Sequence, residues 1–332
     1  MKKIFVTGGG GFIGSHLLEK LVKLGYDVKT LVPYNIDNSW GWIDTFEKNI
    51  KKSLKVVSGD ICDQNLISKE MKKIDVVFHL AALISIPYSY KSPRSYISTN
   101  VVGTLNMLEA TKDQEVELFV QTSTSEVYGS SQFVPITEKH PLNAQSPYAA
   151  SKIAADQLSL SYYKAFDVPV LILRPFNTFG PRQSLRAVIP TMITQVLSNN
   201  NTIKMGTLTS KRDFTYVSDT VNGFISAIGN KKCIGETINL GTGHDFSIGD
   251  ILKSIQKLTN KKVKIIKETN RMRPKKSEVT RLISSNTKAK KILKWKPLFG
   301  NKKGFDLGLK KTMEWFKNPQ NLKHYKLNIY NF

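Results

Sequence analysis

The 332-residue chain has two cysteines, eight arginines among 49 basic residues, and no long apolar run. Cys62 and Cys233 offer neither a disulfide framework nor a metal spacing, which excludes a stapled secreted scaffold and a cysteine metal site. Two isolated thiols suit a reducing cytoplasm. No stretch approaches the roughly 20 apolar residues needed to cross a bilayer, so no membrane partner is expected. The opening MKKIFVTGGGGFIG has the lysines of a signal peptide, but its apolar run stops after five residues at glycine. It reads as a first strand rather than a targeting segment. The net charge of +23 raises the question of nucleic acid. Arginine, however, is confined to positions 94, 174, 182, 186, 212, 271, 273 and 281, while lysine pairs recur from 2 to 310 without interleaved aromatics. That pattern points to a solvated lysine surface and no polynucleotide partner. The few guanidiniums are better suited to phosphate oxygens.

What is present is regular alternation. An apolar strand (3–7, KIFVT) runs into GGGGFIG, where Gly8, Gly11 and Gly14 precede an amphipathic helix carrying Phe12, Ile13, Leu17, Leu18, Leu21 and Leu24. Glycine lets backbone approach a pyrophosphate, and the helix start supplies N–H groups and a positive dipole end. Further strands are expected at 27–32, 55–58, 75–79, 116–121 and 168–173, with a long helical segment over 92–111 that holds Asn100. After the second strand comes Val-Pro-Tyr-Asn, with no acid before Asp37 and no arginine, which tilts the cofactor toward NAD without excluding NADP. The fold class is therefore α/β: a Rossmann-like doubly wound parallel sheet with a smaller mixed α/β C-terminal substrate lobe. Residues 1–181 are expected to form the dinucleotide-binding domain with the catalytic residues, and 182–332 the substrate lobe, with some of its elements returning to the first.

The chemistry concentrates between 122 and 152. The strand at 116–121 puts Thr122, Thr124, Ser125 and Glu126 at its C-terminal end, the edge where open parallel sheets bind ligands. Pro147 then opens a helix on which Tyr148 and Lys152, four apart, share a face. A nearby ammonium is expected to lower the phenol's pKa and make it a base.

These segments together resemble the extended short-chain dehydrogenase/reductase family of nucleotide-sugar epimerases and dehydratases. The resemblance rests on GGGGFIG (8–14), HLAA (79–82), TSTSEVYG (122–129), YAASK (148–152), RPFNTFGP (174–181) and RDFTYVSD (212–219). Within the family, 85–110 and RMRPKKSEV (271–279) look most like the LegB-type 4,6-dehydratases of legionaminic acid biosynthesis. The resemblance implies a catalytic set of Thr124, Ser125, Glu126, Tyr148 and Lys152. It implies a cofactor channel lined by Gly8, Gly11, Phe12, Ile13, Gly14, Asp60, Ile61, Leu80, Ala81, Ala82, Asn100, Thr122, Pro175 and Asn177, together with Tyr148 and Lys152. It also implies a nucleotide-sugar site of Ser85, Thr124, Glu126, Asn177, Ile189, Lys204, Arg212, Arg273 and Glu278, with no metal. In that reading Tyr148 takes the 4-hydroxyl proton and Thr124 holds the 4-oxygen, while Arg212 and Arg273 meet the diphosphate.

Glu126 is the informative position. Family epimerases usually carry small or hydroxyl residues there, whereas GDP-mannose-type dehydratases carry Thr-Ser-Glu, as at Thr124-Ser125-Glu126 here. A carboxylate can remove the C5 proton made acidic by a C4 ketone. A strand-end acid bonded to backbone is the plain alternative, as is an Arg212–Asp213 ion pair for Arg212. The expected activity is a 4,6-dehydratase acting on GDP- or UDP-N-acetylglucosamine, against a 4-epimerase and, more remotely, a non-catalytic dinucleotide sensor. Family members suggest a homodimer built on helices at 92–111 and 147–166. Their stripes (Ile97, Val101, Leu105, Leu108; Ala154, Leu158, Tyr162) are compatible with a bundle or with ordinary core.

Overall fold

The computed structural model of the chain describes residues 1–198, 201–268, 271 and 273–327. Its first half supplies β1 (Lys3–Thr7), β2 (Asp27–Pro33), β3 (Leu54–Gly59), β4 (Val76–His79), β5 (Leu118–Thr122) and β6 (Val170–Pro175). The second half adds β7 (Asn177–Phe179), β8 (Thr202–Met205), β9 (Lys211–Tyr216), β10 (Thr237–Leu240), β11 (Asp245–Ser247), β12 (Lys264–Lys267) and β13 (Arg281–Leu282). One seven-stranded sheet runs in the order β10-β6-β5-β4-β1-β2-β3, with every neighbour parallel. The order reverses beside β1, which opens a crevice at the carboxyl ends of the strands. This is the doubly wound Rossmann-like sheet expected from the alternation.

Strand chemistry explains the layers. The residues of β4 and β6 are buried throughout, as strands covered by helices on both faces should be. Along β1 the side chains alternate. Ile4 and Val6 enter a core with Leu17, Leu18 and Leu21 of the helix Phe12–Lys23, while Phe5 enters the opposite core with Met107, Leu108 and Phe119. The larger core continues without a break through Phe214, Phe224, Phe305 and Phe316, so the C-terminal elements pack on the sheet's own helices. A smaller sheet (β11-β9-β13, with β7 on β9) and the β8–β12 pair complete the lobe. The strand β10, from the second half, pairs with β6 and closes that edge of the main sheet.

The segment expected to be helical over 92–111 is so from Pro93, in three parts: Pro93–Tyr96 leads into a π-helical stretch, Ile97–Val102, before the helix Gly103–Lys112. Of the stripe read as a possible bundle face, Leu108 and Tyr162 are core, with Leu105 and Leu158 packed against them, while Ile97 is exposed. Both cysteines are free, and burial, joined at Cys62 by Asp60, pushes their thiols up to about 11, against thiolate formation. No helix among the described residues is long and apolar enough to cross a membrane.

Candidate active site

The site forms where β5 ends. Thr124 caps a short 3-10 turn, Ser125–Tyr128, its Oγ1 accepting the Glu126 N–H at 3.2 Å. Ser146 caps the helix Pro147–Phe166, accepting the Ala149 N–H at 3.1 Å, with Pro147 in the first turn. The two caps fix where Glu126 and Tyr148 emerge. Tyr148 and Lys152 are both buried, and the Tyr148 phenol hydrogen-bonds the Thr124 side chain. Tyr96 packs edge-on to Tyr148 at 6.2 Å between ring centroids.

The electrostatics depart from expectation. Burial pushes the Tyr148 phenol up; Thr124 opposes this, and Glu126, Tyr96 and Asp156 add to it. The Lys152 ammonium is desolvated and lowered to about 8, with Asp156 pulling the other way. A positive charge placed beside the phenol would work against the upward push of burial.

Asp156, one helical turn beyond Lys152, anchors the floor of the site. It accepts the Ser123 hydroxyl at 2.6 Å and pairs with the buried Arg174 at 2.9 Å. Arg174 reaches the Tyr128 hydroxyl at 2.9 Å, which donates to Asn239 on β10 at 2.8 Å. A buried pair of this kind is costly to break from one side, because the partner is stranded. Arg174 thus ties the strand end, the helix Pro147–Phe166 and β10 together. Asp156, Ser123 and Asn239 were missed, although the Tyr148–Lys152–Asp156 spacing repeats every four residues and was there to be read.

Glu126 is not a backbone-bonded strand-end acid alone. Its Oε2 accepts Arg273 Nη1 at 3.2 Å. Arg273 had been assigned to a diphosphate; here burial works against its charge and is outweighed by Glu126 and then Glu278. Arg212 is buried as well and donates to the Lys211 carbonyl at 3.0 Å. Burial lowers its pKa, Glu126 and Glu278 oppose that, and Arg273 adds to it. The Arg212–Asp213 ion pair does not form. Neighbours on a strand face opposite ways, and Asp213 instead accepts Thr242 N–H and Oγ1 and the Gly243 and Ser284 N–H groups at 2.6–3.1 Å. Glu278 accepts the Ser210 hydroxyl at 2.8 Å. Ile189 lies fully in the core, and Lys204 is exposed with Glu268 at 3.5 Å. Met272 lies outside the described residues.

The cofactor residues can be tested for fit. Gly8 has φ +74°, and a Cβ there would lie 2.9 Å from Ala81 N; one on Gly14 would lie 2.2 Å from the Gly8 carbonyl. The turn is thus closed down on the start of the helix Phe12–Lys23, which has no side-chain cap and no acid in its first turn. Its N–H groups and dipole are left for an anion. Ala81 N–H donates to Thr7 Oγ1 at 3.1 Å and Leu80 N–H to the Thr7 carbonyl at 3.2 Å, which holds the HLAA segment over that turn. Along the same edge, Thr122 Oγ1, Asn177 Oδ1 and Ser85 Oγ are buried without a hydrogen-bond partner among the described residues, and each can meet a polar ligand. Pro175 is buried at the end of β6 beside them. Asp60 Oδ1 is held by the Cys62 N–H at 2.9 Å, a turn role, and Ile61 is core. Asn100 braces rather than lines the channel: its Oδ1 accepts the Leu83 N–H at 2.8 Å, and its Nδ2 donates to the Leu83 carbonyl at 3.0 Å and Ser151 Oγ at 2.9 Å. These features fit a dinucleotide. Among the described residues, no group of three or more His, Cys, Asp or Glu is placed to hold a metal ion.

Comparison with known proteins agrees. Residues 5–307 match the family described as GDP-mannose 4,6 dehydratase. The chain belongs to the extended short-chain dehydrogenase/reductase family of nucleotide-sugar dehydratases and epimerases. It is 32% identical to dTDP-D-glucose 4,6-dehydratase of Mus musculus, over 97% of this chain and 91% of that one. It is also 32% identical to UDP-N-acetyl-alpha-D-glucosaminuronate decarboxylase of Bacillus cytotoxicus, over 96% and 99%. Among solved structures, UDP-glucuronic acid 4-epimerase from Bacillus cereus, in complex with UDP-glucuronic acid and NAD, superposes with a TM-score of 0.84 at 32% identity, over 95% and 99% of the two chains. Family and fold are therefore secure, and the relatives divide among three reactions.

Proposed function

We propose that this member of the family is a nucleotide-sugar 4,6-dehydratase that uses NAD and acts on an N-acetylglucosamine nucleotide, GDP in preference to UDP. The observation that carries the reading is Glu126, an acid paired with a guanidinium on the turn that also presents Thr124 to Tyr148. The Thr-Ser-Glu sequence and the match to the GDP-mannose dehydratase family favour GDP.

NAD, when bound, supplies the hydride acceptor for C4, the donor for C6 and, in its oxidised form, a positive ring that lowers a nearby phenol. Gly8, Gly11 and the N–H groups of Phe12, Ile13 and Gly14 would hold its pyrophosphate; Lys152, Thr122 and Asn177 would meet its nicotinamide end. Tyr148 Oη takes the proton of the sugar 4-hydroxyl while Thr124 Oγ1 fixes that oxygen. Arg273 holds the Glu126 carboxylate in place at 3.2 Å, and Glu126 removes the C5 proton once C4 is a ketone. The C6 hydroxyl leaves as water, with Ser125, a relayed water or protonated Glu126 as its proton donor, and a proton then returns to C5. The sum is loss of one water with no net redox change. Arg212, whose hydrogen bond among the described residues goes to the Lys211 carbonyl, is a cation suited to the diphosphate, and Ser85 meets the sugar. We further propose that the division of labour lies near residue 181, and that two chains associate through 92–111 and 147–166.

The deciding experiment incubates the protein in deuterated water with GDP- or UDP-N-acetylglucosamine and follows mass. Loss of one water with deuterium at C5 supports the proposal, and the reacting nucleotide identifies the base. A product of unchanged mass makes it an epimerase. Release of CO₂ from UDP-N-acetylglucosaminuronate, with no dehydration, makes it a decarboxylase. Glu126→Gln should slow water loss by about 10²–10⁴-fold while substrate-driven cofactor reduction persists.

A further inference from the structure

The segment that follows β2 folds back onto the glycine turn. The Trp42 N–H donates to the Gly10 carbonyl at 3.0 Å. A Cβ on Gly10 would lie 2.4 Å from the Trp40 carbonyl oxygen, and one on Gly41 would lie 2.5 Å from that of Gly10. Backbone thus rests directly on backbone at the point where the pyrophosphate turn bends. Asn35 closes the start of the segment, its Nδ2 donating to the Ser39 carbonyl at 2.7 Å and its Oδ1 accepting the Ser39 N–H at 3.0 Å.

What holds this segment down comes from the far end of the chain. The Trp42 ring lies 5.2 Å from His324, 5.5 Å from Trp315 and 5.6 Å from Tyr325, centroid to centroid. Tyr325 donates its hydroxyl to the Gln183 carbonyl at 2.9 Å. Next to it Arg182 pairs with Glu19 at 2.7 Å, on the helix that the glycine turn begins, and covers the Phe46 ring at 5.2 Å. Three stretches distant in sequence meet around one tryptophan whose backbone is bonded to the glycine turn.

We propose that His324 and Tyr325 are positioning residues for NAD: they latch the 40–46 segment against the glycine turn and so set how tightly the dinucleotide is kept. Ordering a loop costs conformational entropy. A loop already ordered by packing elsewhere spares that cost when the ligand arrives, so affinity rises without any new contact. Aromatic pairs supply a moderate, geometry-dependent attraction suited to such a latch. The inference rests on NAD as the cofactor and is independent of which sugar reaction the enzyme performs.

The test uses the full chain with His324→Ala and Tyr325→Ala together, and reads NAD bound after purification and Kd on protein stripped of NAD. Kd should rise about tenfold, with kcat at saturating NAD within about twofold of the parent. Tyr325→Phe, which keeps the ring, should hold NAD as the parent does. If the double variant does not fold, His324→Ala alone removes an exposed ring and should still raise Kd by about threefold. Unchanged Kd with a lower melting temperature would reduce the cluster to a stability element and overturn the latch. A parent chain that binds no NAD would overturn the cofactor assignment, and the latch with it.

Discussion

At the scale of single residues, the site is a set of buried polar groups whose charges are set by neighbours. His79 is fully buried, shared between Thr7 Oγ1 at 2.8 Å and Thr104 Oγ1 at 3.0 Å. Burial, with Lys152 nearby, lowers its pKa to about 3. Between that value and the ordinary 6.5 the unfolded chain binds the proton that the folded chain refuses, so stability falls as pH falls, by about 1.4 kcal/mol per unit. Urea unfolding should show wild type losing about 1 kcal/mol more than His79→Asn between pH 6 and 5; equal losses would refute the assignment. Much of this scale was legible. Tyr148, Lys152, Thr124 and Glu126 lie in one short span, and Pro147 marks the helix start; the caps by Thr124 and Ser146 came only with the structure. The Arg273–Glu126 pair was not legible, because it joins residues 147 positions apart, and local sequence says nothing of which guanidinium meets which carboxylate.

Among elements, the π-helical stretch Ile97–Val102 matters most. It turns Asn100 inward, where its amide is spent on Leu83 and on Ser151 of the helix Pro147–Phe166. A mid-helix asparagine is unfavourable by propensity, and that oddity was visible in the sequence; the π geometry that accommodates it was not, since one additional residue in a helical turn leaves no compositional mark. Asn100→Ala should cost about 2 kcal/mol by stranding the Leu83 backbone groups and should lower kcat by loosening the loop before Ser85. Denaturant unfolding with steady-state kinetics checks both, and a variant of normal stability and rate would show the brace to be idle. The first six strands were read within two residues, since β1, β4, β5 and β6 are apolar runs bounded by polar or turn residues, while the short strands from β7 onward carry no such signal.

For the whole molecule, the fold class was written in the alternation of strands and helices. What joins the halves was not, because the core passes from Ile4 and Leu18 to Phe224, Phe305 and Phe316 without regard to sequence distance. The exposed faces give a further expectation. Ile97 at 48% and Val102 at 42% exposure project from the proposed association surface. Sedimentation velocity at micromolar concentration should give a dimer for wild type and a monomer for Ile97→Glu/Val102→Glu; a monomeric wild type would end the proposal.

The place of β10 has a consequence for how the protein is made. With Thr237–Leu240 hydrogen-bonded along β6, the growing chain carries an apolar strand with an open edge from the moment Pro175 leaves the ribosome until Leu240 follows. At ordinary elongation rates that interval lasts on the order of several seconds, and throughout it β6 is a template for any other extended segment. The edge is closed only when β10 has been made, so most of the length must be finished before the sheet is protected on that side.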